Sequence, residues 1–160
     1  MTHHILCLLF DWGDTLMVDY PHYIGAMVTW PQVTPMKGVR SLMPQLSEQY
    51  QCAVLSNAGD SDAALMKKAF EKAGLEQFFQ GFFTSKELGA SKPNPMFFEQ
   101  ALQKLGVKAD EAMMIGNDYE KDIATAKAVG MHTVLISETA GNYPDADHVM
   151  DDFSALSFLL

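Results

Sequence analysis

The sequence predicts an α/β domain built on a mainly parallel sheet. Short apolar runs bounded by turn residues alternate along the chain with stretches of helical periodicity, and this alternation is typical of such a sheet. The 160 residues are enough for one domain with a substantial core and too few for two ordinary domains. We therefore expect a single domain over residues 1–160, with one functional site.

Six apolar runs are the candidate strands. Short continuous runs of this kind are consistent with buried strands. They cover residues 5–10, 53–55, 82–84, 112–115, 133–136 and, more weakly, 149–150.

Helices are expected between these strands and after the last of them. They cover about residues 36–50, 60–74, 96–105, 119–129 and 154–160. Thr34 and Pro35 open the first, and Pro44 predicts a kink or an early break inside it. Asp60 or Ser61 caps the second. Asn94 and Pro95, as cap and first helical residue, open the third, which ends at Gly106.

Charge and cysteine usage exclude several classes of partner and compartment. The formal net charge is −9, and no basic cluster occurs, so neither nucleic acid nor an anionic membrane surface is an expected partner. Cys7 and Cys52 lie inside apolar runs and are expected to be buried thiols in a reducing cytoplasm. The first ten residues have no basic region or cleavage site typical of a signal peptide, and no membrane span is expected.

Polar segments follow the first, second and fourth predicted strands and precede the third helix. In open parallel sheets the ligand site lies outside the carboxyl ends of the strands, so these segments are expected to converge. They read DWGDT at 11–15, SNAGD at 56–60, GASKPNP at 89–95 and GNDYEKD at 116–122. Together they bring carboxylates, a hydroxyl, a lysine and an amide to one rim.

Phosphoryl transfer needs this combination of groups. It requires a nucleophile, a hard cation held by oxygen ligands and fixed donors around the phosphoryl oxygens. Asp11 is the candidate nucleophile. Asp118 or Asn117, together with Asp122, would hold the cation. Lys92 and the Ser56 hydroxyl would bind the phosphate.

These residues resemble the motifs of the haloacid dehalogenase-like hydrolases, a superfamily dominated by magnesium-dependent phosphatases. The family pattern is Asp-x-Asp-x-Thr after the first strand, then Ser or Thr, then Lys, then Gly-Asp with a later Asp. Here those positions read Asp11, Gly13 and Thr15; Ser56; Lys92; and Gly116, Asn117 and Asp122. Because all four motifs occur in order between residues 5 and 160, the resemblance is specific.

The resemblance implies a Rossmann-like three-layer α/β/α sandwich and a Mg²⁺ cofactor. The implied reaction is hydrolysis of a phosphate monoester through an aspartyl-phosphate on Asp11. The implied phosphate-binding residues are Thr15, Ser56, Asn57 and Lys92. The implied metal ligands are Asp11, the carbonyl of Gly13, Asn117, Asp118 and Asp122.

Two positions depart from the family pattern. Gly13 stands where the family has its general acid/base Asp, and such catalysis is typically worth about 10²–10⁴-fold. The chain is therefore expected to be a slow phosphatase unless Asp14 substitutes as the second catalytic residue. The alternative is a catalytically weak or inactive scaffold or binding protein. Asn117 replaces a metal-binding Asp, and its amide oxygen can still bind a hard cation.

The spacing of the motifs leaves no room for the cap domain that family members usually carry. Only 20 residues, 16–35, separate the first motif from the next helix, and only seven, 85–91, lie between Thr84 and Lys92. A helical cap does not fit in either gap, so we expect a capless member. DWGDT also resembles the phosphonate-cleaving relatives, but those enzymes and the dehalogenases use cap residues, which disfavours both activities.

The aromatic segment 16–35 is too long for an ordinary loop. It could fold over the site as a flap, form a homodimer contact, or pack on the surface of its own domain. An open site is compatible with a phosphorylated small molecule or a phosphoprotein as the substrate.

Overall fold

A six-stranded, wholly parallel sheet organises the computed structural model, which describes residues 4–57 and 59–160. The first three residues of the expected 1–160 domain, and Ala58, lie outside the described residues. The strands are β1 (Cys7–Phe10), β2 (Gln51–Ser56), β3 (Gly81–Thr84), β4 (Ala112–Gly116), β5 (His132–Ile136) and β6 (His148–Met150). They lie in the order β3-β2-β1-β4-β5-β6, and all neighbours are parallel. The predicted strands and their parallel pairing are confirmed.

Helices connect the strands from β1 to β5. They are α1 (Val39–Gln49), α2 (Ala63–Ala73), α3 (Ser85–Leu88), α4 (Pro95–Leu105) and α5 (Thr125–Val129). A π-helical turn, Tyr119–Ala124, leads directly into α5. Short 3₁₀ helices cover Met27–Thr29, Glu76–Phe78, Ala109–Glu111 and Phe153–Phe158.

The helix boundaries differ from the sequence expectation at several points. The first helix begins after Gly38, whose φ of 92° is favourable for glycine, and not at Pro35. Pro44 lies inside α1 without breaking it, because the buried face of that helix, including Leu42 and Leu46, holds it on the sheet. Asp62 caps α2 by accepting from the Leu65 N–H at 2.9 Å, in place of Asp60 or Ser61.

Two hydrophobic layers cover the faces of the sheet. Along β1, Leu8 and Phe10 belong to the core on one face, and Cys7 and Leu9 belong to the core on the other. Buried residues of α1 and α2 complete the first core, and those of α4 and α5 complete the second. The three-layer α/β/α sandwich is therefore confirmed.

Cys7 and Cys52 are buried and free, as the apolar runs predicted. Burial raises the pKa of each thiol to about 12, so both remain protonated at neutral pH. In the described part of the chain, no helix has both the length and the apolar character needed to cross a membrane.

The chain reverses its direction of sheet growth between β1 and β4. The order runs outward from β1 through β2 to β3, and then from β4 through β5 to β6 on the other side. In open parallel sheets, a ligand crevice forms at such a switch point, at the carboxyl ends of the strands. The residues that follow β1 and β4 are therefore the first to consider as functional.

Candidate active site

Asp11 lies at the switch point, immediately after β1. Its backbone N–H donates to the carbonyl of Ile115 at 2.9 Å, which extends the pairing with β4 by one residue. Its side chain is 15% exposed, so the carboxylate is accessible from a cleft while its backbone is fixed. A carboxylate fixed in this way is suited to act as a nucleophile.

Lys92 forms an ion pair with Asp11. Its Nζ lies 2.8 Å from Asp11 Oδ1 and 2.8 Å from Asp122 Oδ1, and only 3% of the lysine side chain is exposed. Burial by itself would lower the pKa of Lys92, but the carboxylates of Asp11 and Asp122 outweigh it and raise that pKa. The lysine is therefore an ammonium ion at neutral pH.

Asp122 is buried beneath Lys92. Its second oxygen, Oδ2, accepts from the Asp118 N–H at 3.1 Å. Burial, followed by the charge of Asp11, raises the pKa of Asp122, and against the opposing effect of Lys92 the net value is about 6. Asp122 was expected to bind the metal, but both of its oxygens accept hydrogen bonds from the protein. In the structure, Asp122 holds the Lys92 ammonium group in place.

Gly116 makes room for Asp122. A Cβ on Gly116 would lie only 2.6 Å from the Cβ of Asp122, closer than side chains approach one another. The last residue of β4 therefore has to be glycine if the buried carboxylate is to reach Lys92.

Asn57 fixes the backbone of Lys92. Its Oδ1 accepts from the Lys92 N–H at 2.7 Å, and its Nδ2 donates to the Lys92 carbonyl at 3.2 Å. The amide predicted to bind phosphate is thus committed to positioning the lysine. The Ser56 hydroxyl donates to the Asn57 carbonyl at 3.1 Å, and Ser56 also lines the cleft.

Thr15 lies behind Asp11. It is buried, and its Oγ1 lies 3.5 Å from Asp11 Oδ2 and 3.3 Å from Asn117 Oδ1. Because a hydroxyl has one proton, it donates to one of these oxygens at a time. The structure places the Thr15 hydroxyl between Asp11 and Asn117, within reach of one oxygen of each.

Asp14 and Asp19 are the remaining carboxylates of the first loop. Asp14 adopts a left-handed φ of 60°, and its Oδ1 accepts from the Asp19 N–H at 2.9 Å. Asp19 was not among the residues singled out from the sequence. Its pKa is raised by burial and by the charges of Asp14 and Asp11.

These residues line a cleft of about 260 Å³. The lining consists of Asp11, Gly13, Asp14, Asp19, Ser56, Asn57, Lys92, Asn117, Asp118, Lys121 and Asp122. Five of them are aspartates and two are lysines. A lining with this excess of carboxylates repels a phosphate dianion until a cation is present.

The cleft contains oxygen ligands suitable for Mg²⁺. Within residues 4–57 and 59–160, no group of three or more Asp, Glu, His or Cys side chains is arranged so that it could hold a metal ion. Asp11, Gly13 and Asn117 nevertheless line the same cleft, and they carry a carboxylate, a backbone carbonyl and a side-chain amide oxygen. Asp118 Oδ1 accepts from the Lys121 N–H at 3.0 Å as a helix cap. Mg²⁺ commonly binds one or two carboxylates and keeps several waters, so this oxygen set fits the ion.

A second cavity, of about 350 Å³, adjoins the cleft. The two share Gly13, Asp19 and Ser56. The rest of the second cavity is lined by Trp12, Tyr23, Gly25, Met27, Trp30, Gly59, Asp60 and Ser61.

The aromatic segment 16–35 forms one wall of this second cavity. The rings of Tyr23 and Trp30 lie 5.6 Å apart, and Trp30 is buried in the core. Lys72 of α2 donates to the carbonyls of Trp30, at 2.7 Å, and Val28, at 3.2 Å. Of the three expected arrangements, the structure thus shows the segment packed on its own domain. The homodimer through residues 16–35 stays a prediction.

Comparison with known proteins identifies a family. The profile described as haloacid dehalogenase-like hydrolase matches residues 12–136. Among curated relatives, ribulose-1,5-bisphosphate 5-phosphatase from Halopiger xanaduensis is 36% identical over 92% of this chain and 64% of its own length. Glyceraldehyde 3-phosphate phosphatase from Methanothermobacter thermautotrophicus is 32% identical over 75% of this chain and 55% of its own length. The chain therefore spans less than two thirds of these relatives.

Solved structures show the same fold. An uncharacterized protein from Listeria monocytogenes serotype 4b superposes with a TM-score of 0.82 at 22% identity, over 97% of this chain and 96% of that one. A HAD hydrolase from Bacillus subtilis, described as bound to magnesium, gives a TM-score of 0.80 at 15% identity, over 98% of this chain and 99% of that one.

Proposed function

The chain belongs to the haloacid dehalogenase-like hydrolases, and from this premise we propose that it hydrolyses phosphate monoesters through an aspartyl-phosphate on Asp11. The observation that carries the proposal is the contact between Asp11 and Lys92. An accessible carboxylate at the end of β1 has a buried ammonium group 2.8 Å away, which can stabilise charge on a phosphoryl group bound at the carboxylate.

Mg²⁺ is the proposed cofactor. The Asp11 carboxylate, the Gly13 carbonyl and the Asn117 amide would hold it. When bound, it neutralises phosphoryl oxygens and offsets the excess of carboxylates in the cleft. Asn117 is preferred to Asp118 because its Oδ1 lies on the same Thr15 hydroxyl as Asp11 Oδ2, whereas Asp118 Oδ1 caps the following helical turn.

The proposed reaction has two halves. In the first, Asp11 attacks phosphorus, the ester P–O bond breaks and the alcohol leaves with a proton. Lys92 and the Ser56 hydroxyl bind the phosphoryl oxygens. In the second, water attacks the aspartyl-phosphate, releases inorganic phosphate and restores Asp11.

A phosphorylated small molecule is the substrate class that we propose. The second cavity, of about 350 Å³, lies beside Asp11's cleft and can receive a leaving group of modest size. Two of the curated relatives are named for glyceraldehyde 3-phosphate and ribulose-1,5-bisphosphate as substrates. Free buried thiols at Cys7 and Cys52 favour the reducing cytoplasm as the compartment.

The test is phosphate release by the purified protein with Mg²⁺. The panel should contain acetyl phosphate, p-nitrophenyl phosphate, triose and pentose phosphates and a phosphopeptide. We expect activity that EDTA removes and added Mg²⁺ restores, and we expect Asp11→Asn to abolish it. No magnesium-dependent release from any substrate would contradict the proposal. A trifluoroberyllate adduct at Asp11 without turnover would instead favour a phosphate-binding scaffold.

A further inference from the structure

We infer that Asp19 exchanges the proton with the leaving alcohol and with water, in place of the side chain that Gly13 lacks. This inference rests on the proposed hydrolysis at Asp11. It assigns a catalytic role to a residue that lies outside the Asp-x-Asp-x-Thr pattern and six positions beyond Gly13.

The first support is the space around Gly13. A Cβ built on Gly13 would lie 3.3 Å from Asp19 Cβ, 3.5 Å from Asp19 Cγ and 3.4 Å from Asp19 Oδ2. All three nearest atoms belong to the side chain of Asp19. The Asp19 carboxyl therefore lies beside the point from which a residue-13 side chain would extend, on the loop that carries Asp11.

The second support is the position of Asp19 between two cavities. Asp19, Gly13 and Ser56 line both the cleft that contains Asp11 and the adjoining cavity that contains Trp12 and Tyr23. With the phosphoryl group at Asp11 and the rest of the substrate in the adjoining cavity, the ester oxygen would pass this junction. A proton donor for the leaving oxygen is needed at that place.

Asp14 has a different task in this loop. Its Oδ1 accepts from the Asp19 N–H at 2.9 Å, and its left-handed φ of 60° turns the chain. We assign Asp14 as a positioning residue that holds the backbone of Asp19.

The proton balance of the step is as follows. Protonated Asp19 gives its proton to the leaving alkoxide as the Asp11 oxygen–phosphorus bond forms and the ester P–O bond breaks. The resulting Asp19 carboxylate then takes a proton from water. The water oxygen bonds to phosphorus, the bond from phosphorus to Asp11 breaks, and Asp19 is again protonated when phosphate leaves.

Leaving-group dependence distinguishes this role from a structural one. Asp19→Asn should lower turnover of an alkyl phosphate, such as glycerol phosphate, by about 10²–10³-fold, because its alkoxide needs protonation. Acetyl phosphate has a good leaving group, so formation of the aspartyl-phosphate should fall less than about tenfold. Hydrolysis of the aspartyl-phosphate should still be slow, so the phosphoenzyme should accumulate in the variant and be visible by intact-protein mass spectrometry.

Rescue by relocation is the second arm. The double variant Gly13→Asp/Asp19→Gly removes the side chain that crowds position 13 and puts a carboxylate there. We expect it to turn over the alkyl phosphate at least about tenfold faster than Asp19→Asn does. Asp110→Asn, an exposed aspartate ahead of β4, is the matched control. Urea unfolding of each variant confirms that it is folded.

Each outcome has a definite meaning. Unchanged turnover of the alkyl phosphate by Asp19→Asn would overturn the inference and leave the proposed function intact. Equal losses of activity on both substrates, with no accumulation of phosphoenzyme, would show that Asp19 has only a structural role. That result would also overturn the inference. A larger loss in Asp14→Asn than in Asp19→Asn would assign the proton to Asp14. A wild-type protein without turnover would overturn both proposals.

Discussion

Lys92 and Asp122 form a buried ion pair at 2.8 Å, and Asp11 forms an ion pair with the same ammonium group at 2.8 Å. The two carboxylates are not equivalent, because only 1% of the Asp122 side chain is exposed, against 15% for Asp11. Asp122 therefore keeps the lysine in place while Asp11 faces the cleft. In the proposed reaction, this division would allow Asp11 to react with a substrate without releasing Lys92.

Lys92→Met should unfold more easily than the wild type and lose activity. Removing one partner of a buried pair leaves the other charge uncompensated, at a cost of about 3–5 kcal/mol in the free energy of unfolding. Urea unfolding measures that loss. The double variant Lys92→Met/Asp122→Asn should regain part of the stability and none of the activity. Equal stability of the single and double variants would contradict the pairing.

Gly116→Ala should displace Asp122. The added Cβ would lie 2.6 Å from the Cβ of Asp122, so the carboxylate has to move away from Lys92. Overpacking of this kind typically costs about 1–3 kcal/mol, and we expect kcat to fall as well. Gly59→Ala is the control for stability, because its Cβ would meet no heavy atom within 4 Å. Wild-type values of stability and kcat for Gly116→Ala would refute this packing.

Asn57→Ala should lower kcat through Lys92. The variant loses both hydrogen bonds to the Lys92 backbone, and a misplaced catalytic group can cost on the order of 10²-fold. Steady-state kinetics should show the loss mainly in kcat. Asn94→Ala removes only the cap bond to the Met96 N–H at 2.9 Å, so it should cost about 1 kcal/mol of stability with kcat retained. Equal kcat values for the two variants would count against this role for Asn57.

Asp147→Asn should lower stability only where the carboxylate is charged. Burial would raise the pKa of Asp147, but hydrogen bonds from Lys127 and the Thr133 N–H, and the nearby charges of Lys127 and His132, lower it overall. Because the pKa of Asp147 is lower in the folded state than in the unfolded state, its carboxylate stabilises the fold above the unfolded-state pKa of about 3.9. This stabilisation is lost as the pH falls through the folded-state pKa. Urea unfolding should show a difference of about 1 kcal/mol at pH 7 that shrinks as the pH falls below about 4. A difference independent of pH would exclude this linkage.

The strands and the convergence of the site could be predicted because their causes are local. A run such as 112–115 is apolar enough to indicate a buried strand, and parallel strands bring their carboxyl ends to one edge. The predicted start of α1 was wrong because Pro35 is a strong local signal for the start of a helix. The observed start depends on the left-handed backbone at residue 38, which requires glycine. Asp19 was missed for a related reason. Its approach to Gly13 depends on the turn at Asp14, and no residue spacing in the sequence reports such a loop closure.

The two hydrogen bonds from Lys72 to the carbonyls of Trp30 and Val28 have a consequence for dynamics. They attach the wall of the second cavity to α2, so the wall and that helix should open together and not as a separate lid. Substrate entry and product release would then need no closing movement of this segment. Amide hydrogen exchange at Thr29 and Trp30 should consequently follow the exchange of α2.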